Sequence, residues 1–269
     1  MPEGDTIWRT ARSLDAALAG REVTAFASTI PAVASAAERL RIVGRRVLRV
    51  ESRGKHLLVR FEGGPVLHAH QGMNGAWRVR PAGTASASWA SARARIDTAE
   101  VTAACFASPV VELLSDRRAR EHPALARLGP DLLDPAFDPA AARRRLRARA
   151  EAEIGAALLD QTALAGIGNV FKSETLFLCG VPPRARVRDL DDEALARLVE
   201  TARGLLLRNL GPGPRRTTSP FTPGLAWVYG RSGRPCRRCG TAIGRLVQGD
   251  PPRATYWCPR CQGEVEPAG

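Results

Sequence analysis

Four cysteines near the end of the chain have the spacing of a metal site. Two residues separate Cys236 from Cys239 and Cys258 from Cys261, and 18 residues lie between the two pairs. Two such pairs can place four thiolates tetrahedrally around one ion, as structural zinc requires. Redox chemistry at a single pair is the alternative, and the matched second pair argues against it. The segments between the pairs (TAIGRLVQ, GDPP and ATYWC) predict a hairpin.

The other end of the chain begins Met-Pro-Glu, and only at a free N-terminus does proline have nucleophilic chemistry. There it is a secondary amine, whereas inside a chain its nitrogen belongs to an amide. Methionine is normally removed before a compact residue, so Pro2 is a candidate first residue of the mature chain, with Glu3 beside it. The reference pKa of an α-amine, about 8, leaves part of it unprotonated near neutral pH. The alternative is that Pro2 merely follows the initiator methionine.

Lysine is rare in a chain with many basic residues. Of 40 lysines and arginines only Lys55 and Lys172 are lysines, which suggests positions where a compact charge or a titratable amine is needed. Lys172 lies one turn inside a helix predicted after the turn AGIGN. There Gly166 and Gly168 allow a tight reversal, and Asn169 can cap the helix and create an anion site at its N-terminus. Chance retention of the lysines and a packing role for the glycines are the alternatives.

The elements that must position these residues change type along the chain. Helical spacing over 5–19 is followed, from 21 to about 115, by the alternation of apolar and polar residues that antiparallel strands have. Helical spacing returns from 116 onwards, up to a proline- and glycine-rich segment before the cysteines. We therefore predict an α+β multidomain protein. Its parts are a β-sandwich domain with an N-terminal helix (1–115), a helical domain (116–222) and a four-cysteine zinc finger (225–265), while PAGTASASWASARAR is predicted to be a mobile connection.

The composition favours a cytosolic protein that binds nucleic acid. Lys+Arg 40 against Asp+Glu 27 gives a net charge of +13, and neutralising phosphates would release counterions. An acidic membrane surface is the competing partner, but no basic amphipathic helix with a strong apolar face stands out. No signal peptide or apolar run of membrane-spanning length occurs. Six cysteines in such a chain favour thiols or metal over disulfides, with Cys105 and Cys179 predicted to be buried fillers.

These motifs together resemble the Fpg/Nei family, the bacterial formamidopyrimidine-DNA glycosylases and endonuclease VIII-type enzymes. The chain has PEGD at its start, the AGIGN turn, and VYGRSGRPCRRCG with RATYWCPRCQ at its end, in the family's order and spacing. The resemblance covers essentially the whole chain. It implies a base-excision repair DNA glycosylase with AP lyase activity, a helix-two-turn-helix motif in the helical domain and one structural Zn²⁺. It also implies a monomer that binds damaged DNA and no membrane, in the cytoplasm and associated with the nucleoid.

The resemblance also implies a role for each matching residue. Pro2 would attack C1′ of a damaged nucleotide, forming an iminium that acts as an electron sink for β- and then δ-elimination, and Glu3 would protonate the sugar ring oxygen. Lys55 would contact phosphate and donate a proton in β-elimination. Arg253, near the tip of the hairpin, would bind phosphate and assist δ-elimination. The further DNA contacts are Arg127 and Asn169 from matching positions, and Lys172 because it follows Asn169 in the same helix.

A base that is rotated out of DNA leaves a gap that the protein must fill, since extrusion costs a few kcal/mol. The segment HAHQGMNGAW offers Met73 as the filler, between Gly72 and Asn74. A methionine in the hydrophobic core is the alternative. His70 either holds this loop by hydrogen bonds or is an ordinary strand histidine.

Three departures from the family pattern bear on the substrate. Thr6 stands where the family usually carries an acid that contacts the lesion, and the Gly72-Met73-Asn74 triplet is less bulky than that of the endonuclease VIII branch. The segment SDRRAREHPALARLGPD replaces the formamidopyrimidine branch's loop and resembles the endonuclease VIII branch, which favours oxidised pyrimidines. Two alternatives stay open: a non-catalytic zinc protein that binds damaged DNA, and a glycosylase selective for formamidopyrimidine and 8-oxoguanine.

Overall fold

The computed structural model of the chain describes residues 2–84 and 87–263. The chain forms two compact units, Met1–Arg127 and Leu128–Gly269. Antiparallel sheets and helices occur together, so the predicted α+β class is confirmed. The finer division into three parts stays a prediction. Within the described ranges, no helix is both long enough and apolar enough to cross a membrane.

The first unit packs helix α1 (Gly4–Leu18) against two antiparallel sheets. The strands are β1 (Ala25–Ala27), β2 (Val47–Arg53), β3 (His56–Phe61), β4 (Val66–His70), β5 (Ala76–Pro81), β6 (Ala94–Asp97), β7 (Val101–Phe106) and β8 (Val110–Leu114). One sheet has the order β2-β3-β4-β8 and the other β1-β6-β7-β5. Leu14 of α1, Val59 of the first sheet and Cys105 of the second belong to the same buried core. The helix that carries the chain's first residues is thus fixed to both sheets.

Two segments of the first unit differ from the prediction. Helix α2 (Pro31–Arg39) was not predicted, and it begins with a proline at a position where no backbone N–H is required. The segment predicted to be a mobile connection instead contains a 3₁₀ turn at Ala87–Ser91 and the start of β6. Trp89 is only 2% exposed there, and its ring meets Phe106 edge-on at 5.6 Å. One buried tryptophan attaches the segment to the sheet, so where it is described it is not an irregular connection. Its mobility stays a prediction, and its residues 85–86 lie outside the described ranges.

Two short helices complete the first unit, and the second unit is mainly helical. The remaining helices are α3 (Asp116–Arg120), α4 (Pro123–Ala126), α5 (Pro139–Arg147), α6 (Ile154–Ala157), α7 (Asn169–Cys179), α8 (Asp192–Arg208) and α9 (Pro259–Gln262). Helices α7 and α8 share the core of the second unit through side chains such as Phe171, Leu198 and Leu205. Within the helical spacing predicted from 116 onwards, residues 138–160 are divided between α5 and α6.

The cysteine-bearing part of the second unit contains the predicted hairpin. Strands β9 (Gly244–Gln248) and β10 (Arg253–Trp257) pair antiparallel, and Arg253 lies opposite Gln248. A separate buried cluster joins Phe177 of α7 to Val228, Cys236, Ile243 and Cys258. This cluster fixes the hairpin and its cysteines to helix α7. The last two residues of the predicted zinc-finger segment, 264–265, lie outside the described ranges.

Candidate functional site

The first residues of the chain place a carboxyl group out of solvent beside Pro2. Glu3 is the N-cap residue of α1, directly before Gly4, and its carbonyl accepts the N–H groups of Thr6 and Ile7, both at 3.0 Å. Glu3 is fully buried, whereas Pro2 is half-buried. Met1 lies outside the described residues, so its predicted removal stays a prediction. A buried glutamate therefore follows a half-buried proline at the start of the first unit, and the chemistry predicted for the two stays a prediction.

Thr6 is one of the residues that line an open groove between α1 and β5. The groove has a volume of about 450 Å³, and Arg9 and Trp77 are among its lining residues. The Thr6 hydroxyl lies 3.3 Å from the carboxylate of Asp5, which is fully buried and also faces Arg9 at 3.7 Å. An acidic side chain is therefore present one position before Thr6, but it points into protein contacts.

Lys55 occupies a two-residue turn between β2 and β3. Arg53 and His56 are paired on either side of this turn, and Gly54 supplies its positive φ of 56°. Lys55 is half-buried. Burial lowers the pKa of His70, and the charge of Lys55 lowers it further. The lysine amine is therefore an electrostatic neighbour of the strand end that leads into the Met73 loop.

The loop after β4 carries Met73 at the surface. Its side chain is 66% exposed, so the alternative of a core methionine is wrong. Gly72 has a φ of +60°, and a Cβ atom there would lie 2.7 Å from the Pro109 ring. Nδ1 of His70 accepts the N–H of Gly72 at 3.3 Å. Of the two interpretations of His70, a hydrogen bond to this loop is thus the one observed, while a wedge role for Met73 stays a prediction.

In the second unit, Asn169 links the start of α7 to the hairpin. Its Nδ2 donates to the carbonyl of Ala254 at 2.6 Å, while its Oδ1 is buried with no hydrogen-bond partner among the described residues. The N-cap residue of α7 is Gly168, not Asn169 as predicted, and its backbone is extended. Gly166, with a φ of 106°, is the glycine in this turn whose backbone requires one.

Lys172 lies inside the protein. It is fully buried, and its Nζ donates to Oγ1 of Thr255 at 2.6 Å and lies 3.4 Å from the Ala254 carbonyl. Thr255 in turn donates to Oε1 of Gln248 at 2.7 Å, and the Gln248 amide donates to Glu153 at 2.8 Å. An enclosed ammonium group cannot reach a phosphate, so in this geometry Lys172 supports the hairpin instead of making the predicted DNA contact.

Arg253 is exposed at the first position of β10, directly before Ala254. The structure therefore brings Asn169, Lys172 and Arg253 together around residues 254–255 of the second unit. Arg127 is exposed at the end of α4 and belongs, with Pro2, Glu3, Lys55 and Met73, to the first unit.

The four predicted metal ligands converge. The Sγ atoms of Cys236, Cys239, Cys258 and Cys261 all lie within 4.8 Å of one another. Two of these separations are 4.0 Å (Cys236 to Cys261) and 3.4 Å (Cys239 to Cys258). Thiolates bound tetrahedrally at about 2.3 Å from zinc are roughly 3.8 Å apart, so the four side chains fit one such ion. The site can hold a metal with little rearrangement.

The other two cysteines differ in burial. Cys105 is fully buried as predicted, and burial raises the pKa of its thiol to about 11. Cys179 is half-buried, and its sulfur lies 3.4 Å from the Thr201 hydroxyl. Neither lies in the four-cysteine group of the described structure.

Glu174 is a buried residue that sequence reasoning missed. Its carboxylate accepts the backbone N–H groups of Trp227, Val228 and Tyr229 at 2.8, 2.9 and 2.7 Å, and the Thr217 hydroxyl also donates to it. The only sequence signal is an acid between the apolar residues of the helix segment VFKSETLF. Glu174 fixes the chain segment that leads into the first cysteine pair.

Comparison with known proteins agrees with this arrangement. Residues 1–109 match the family described as "Formamidopyrimidine-DNA glycosylase N-terminal domain", and residues 128–219 match "Formamidopyrimidine-DNA glycosylase H2TH domain". The chain is 45% identical to "Probable endonuclease 8 2" of Streptomyces coelicolor, over 99% of this chain and 96% of the relative. It is 40% identical to "DNA-(apurinic or apyrimidinic site) lyase Nei2" of Mycolicibacterium smegmatis, over 97% and 99% of the two chains. A Lactococcus lactis Fpg structure, determined with DNA containing an abasic site, has the same fold with a TM-score of 0.82 at 23% identity, covering 98% of this chain and all of that one.

The two matched domains define the class: a glycosylase N-terminal domain followed by an H2TH domain. The chain belongs to the Fpg/Nei family, as its motifs predicted. Because its sequence relatives include endonuclease 8 proteins that align over nearly their whole length, it is endonuclease VIII-like within that family.

Proposed function

We propose that the chain is a base-excision repair DNA glycosylase with AP lyase activity that removes oxidised bases, and oxidised pyrimidines in particular. The observation that carries the proposal is the start of α1. There Pro2 precedes a fully buried Glu3 in a domain that matches the glycosylase N-terminal family. A relative named as an AP lyase and others named endonuclease 8 support the same activity. Monomeric action on chromosomal DNA in the cytoplasm, in association with the nucleoid, is part of the proposal.

The proposed reaction begins when the Pro2 nitrogen, freed by removal of Met1, forms a bond to C1′ of the damaged nucleotide. The bond from C1′ to the base breaks, and its electron pair leaves with the base. The Pro2 nitrogen loses its proton, which the departing base takes up. Glu3 donates a proton to the ring oxygen as the bond from C1′ to that oxygen breaks, which opens the sugar and leaves an iminium between Pro2 and C1′. A secondary amine gives an iminium without an N–H proton, so the positive charge persists. Loss of a C2′ proton then expels the 3′ phosphate, and a second elimination expels the 5′ phosphate.

DNA binding in this proposal uses residues from both units. Lys55, Arg127 and Arg253 supply cationic groups, Asn169 holds a phosphate, and Met73 fills the gap left by the extruded nucleotide. The net charge of +13 supports an affinity that falls steeply as salt concentration rises. One Zn²⁺ at Cys236, Cys239, Cys258 and Cys261 would be structural. Its thiolate ligands would fix the base of the hairpin, and Arg253 lies near the tip of that hairpin, as the first residue of β10.

Borohydride trapping on DNA with an abasic site tests the central step. Borohydride reduces an iminium to a stable amine, so the proposal expects a covalent protein–DNA adduct from the natural chain and none from Pro2→Gly. The matched control keeps every residue but adds one residue before Pro2 that is not removed. Its proline nitrogen is then an amide, and the adduct should again be lost. Mass spectrometry of the natural chain should show that Met1 is absent.

Tight binding to abasic-site DNA without any adduct would reject the enzyme and leave a damaged-DNA-binding protein. Substrate class is a separate comparison. Excision of thymine glycol should exceed excision of 8-oxoguanine at equal enzyme concentration, and the reverse order would instead place the chain with the formamidopyrimidine-selective enzymes.

A further inference from the structure

The four histidines of the chain form one group in the first unit. The ring centroids of His56 and His68 are 5.0 Å apart, those of His56 and His70 are 5.1 Å apart, and those of His68 and His122 are 4.9 Å apart. The strands create this group, because His56 lies opposite His70 in the pairing of β3 with β4. Nothing in the proposed reaction uses His68 or His122.

At one end of the group, three potential ligand atoms face a common point. Nδ1 of His68 and Nε2 of His122 each lie 3.0 Å from Oε2 of Glu112, and all three atoms are within 4.8 Å of one another. His68 and Glu112 are directly opposite in the pairing of β4 with β8. His122 comes from a different element, at the start of α4. Three separate parts of the chain thus converge here.

We propose that His68, Glu112 and His122 form a second divalent-cation site, suited to Zn²⁺ and distinct from the four cysteines. Imidazole nitrogens and a carboxylate oxygen bind zinc at about 2.0–2.2 Å, so two such ligands on one tetrahedral ion lie about 3.3–3.5 Å apart. The two observed separations of 3.0 Å are hydrogen-bond distances, and a bound ion would require each of them to widen by about 0.3–0.5 Å. Three protein ligands leave the fourth position of a tetrahedral ion open to water.

The surroundings of the three side chains suit a bound cation. The Nε2 atom of His68, which faces away from the site, lies 2.8 Å from Nδ1 of His56. A hydrogen bond from the outer ring nitrogen to a second group is the usual way in which a metal-bound histidine is oriented. His68 is buried and rigidly placed, whereas the Glu112 side chain is 41% exposed and gives an ion a path from solvent. One carboxylate and two neutral imidazoles would leave a single net positive charge, which the exposed edge of the site can hydrate.

A bound ion would connect the sheet to the segment that carries Arg127. His122 lies at the start of α4, and Arg127 lies at its end. Without an ion, His122 at the start of α4 is joined to β8 by its 3.0 Å contact with Glu112. With an ion, two strands and the start of α4 would share one centre. The site would therefore stabilise the first unit and limit the movement of Arg127, without taking part in the chemistry at Pro2.

Metal content and Co²⁺ spectra of the full-length protein test this inference. After equilibration with Zn²⁺ and removal of unbound ion, the natural chain should hold two zinc ions, and Glu112→Gln and His122→Gln should each hold one. Co²⁺ distinguishes the two sites, because thiolate ligands give intense near-ultraviolet absorption, whereas a site of two histidines and one carboxylate gives only weak visible bands. The ion lost from the variants should be the one with weak bands. Zn²⁺ should also raise the melting temperature of the natural chain by more than it raises that of the variants.

His70→Gln is the matched control, since it removes a histidine of the same group that lies outside the three ligands, and it should keep both ions. The natural chain decides the question even where a variant fails to fold. If it binds Co²⁺ only with the thiolate spectrum, and Zn²⁺ beyond that one ion leaves its melting temperature unchanged, the three side chains are a hydrogen-bonded network and the inference is overturned. If the natural chain instead binds only the ion with weak visible bands, this inference stands and the zinc proposed for the cysteines fails.

Discussion

Replacing Glu174 by glutamine should destabilise the second unit, although the two side chains have nearly the same size. The carboxylate is fully buried and has two acceptor oxygens in use. Oε1 accepts hydrogen bonds from the N–H groups of Val228 and Tyr229. Oε2 accepts hydrogen bonds from the Trp227 N–H and from the Thr217 hydroxyl. A glutamine has only one oxygen. Its NH₂ group must therefore face at least one backbone N–H, so that a donor meets a donor.

The size of the effect follows from the bonds that change. A hydrogen bond to a charged group contributes about 1.5–3 kcal/mol, and a buried N–H without a partner costs about 1–3 kcal/mol. The glutamine oxygen would take the place of Oε1, which accepts two N–H groups, and the NH₂ group would then face the Trp227 N–H. Both quantities describe that one N–H and cannot simply be added, so the expected loss is about 3 kcal/mol. The Thr217 hydroxyl can rotate and accept instead of donating, which keeps the loss from being larger. With a denaturant slope of about 2 kcal/mol/M, the urea midpoint should fall by about 1.5 M.

Urea unfolding followed by circular dichroism measures this change, and Glu193→Gln is the matched control. Glu193 lies in the first turn of α8, its side chain is 81% exposed, and it pairs with Arg197 at 2.8 Å. An exposed pair of this kind contributes less than about 1 kcal/mol, so the control should hardly move the midpoint. Equal small shifts for Glu174→Gln and Glu193→Gln would refute the assignment of Glu174 as the acceptor that fixes residues 227–229.

Two further predictions concern residues near the proposed DNA-binding surface. Lys172→Met should leave the slope of log affinity for DNA against log salt concentration unchanged, because the ammonium group is enclosed. Arg253→Ala should reduce that slope by about one. Fluorescence anisotropy measures the slope, and a reduced slope for Lys172→Met would restore Lys172 as a phosphate contact. Gly72→Ala should lower the free energy of unfolding by more than Gly83→Ala, since both glycines have positive φ but only a Cβ at Gly72 would meet the Pro109 ring, at 2.7 Å. Equal losses in urea unfolding would show that the Pro109 ring moves aside freely.

Features encoded by local spacing were predictable from the sequence. The paired cysteines converge because two residues between ligands already fix each pair, and the hairpin between them follows from alternation around the GDPP turn. Helix α1 runs from Gly4 to Leu18, close to the predicted 5–19, because its apolar residues recur at helical spacing. The turn that carries Lys55 also has a local signal, because Gly54 supplies the positive φ between β2 and β3.

Features that depend on strand register or on distant partners were not predictable. The convergence of His68, Glu112 and His122 requires the pairing of β4 with β8 and the return of the chain at α4, neither of which one segment encodes. Lys172 had the charge and position of a phosphate contact, but its direction depends on Thr255, 83 residues further along the chain. Sequence spacing places a residue on an element, and the packing of that element decides whether its side chain faces solvent.

The Ala254 carbonyl joins Asn169 to the strand residue that directly follows Arg253. It accepts the Asn169 amide at 2.6 Å and lies 3.4 Å from the Lys172 ammonium, and Arg253 is its covalent neighbour. The start of α7 and the tip of the hairpin therefore share one anchor, while Cys258 follows Trp257 at the other end of β10. With the proposed zinc bound, the hairpin would be fixed at both ends by different chemistry. Removal of that metal should release the cysteine end first, and the hydrogen bond from Asn169 to Ala254 should persist as long as helix α7 remains folded.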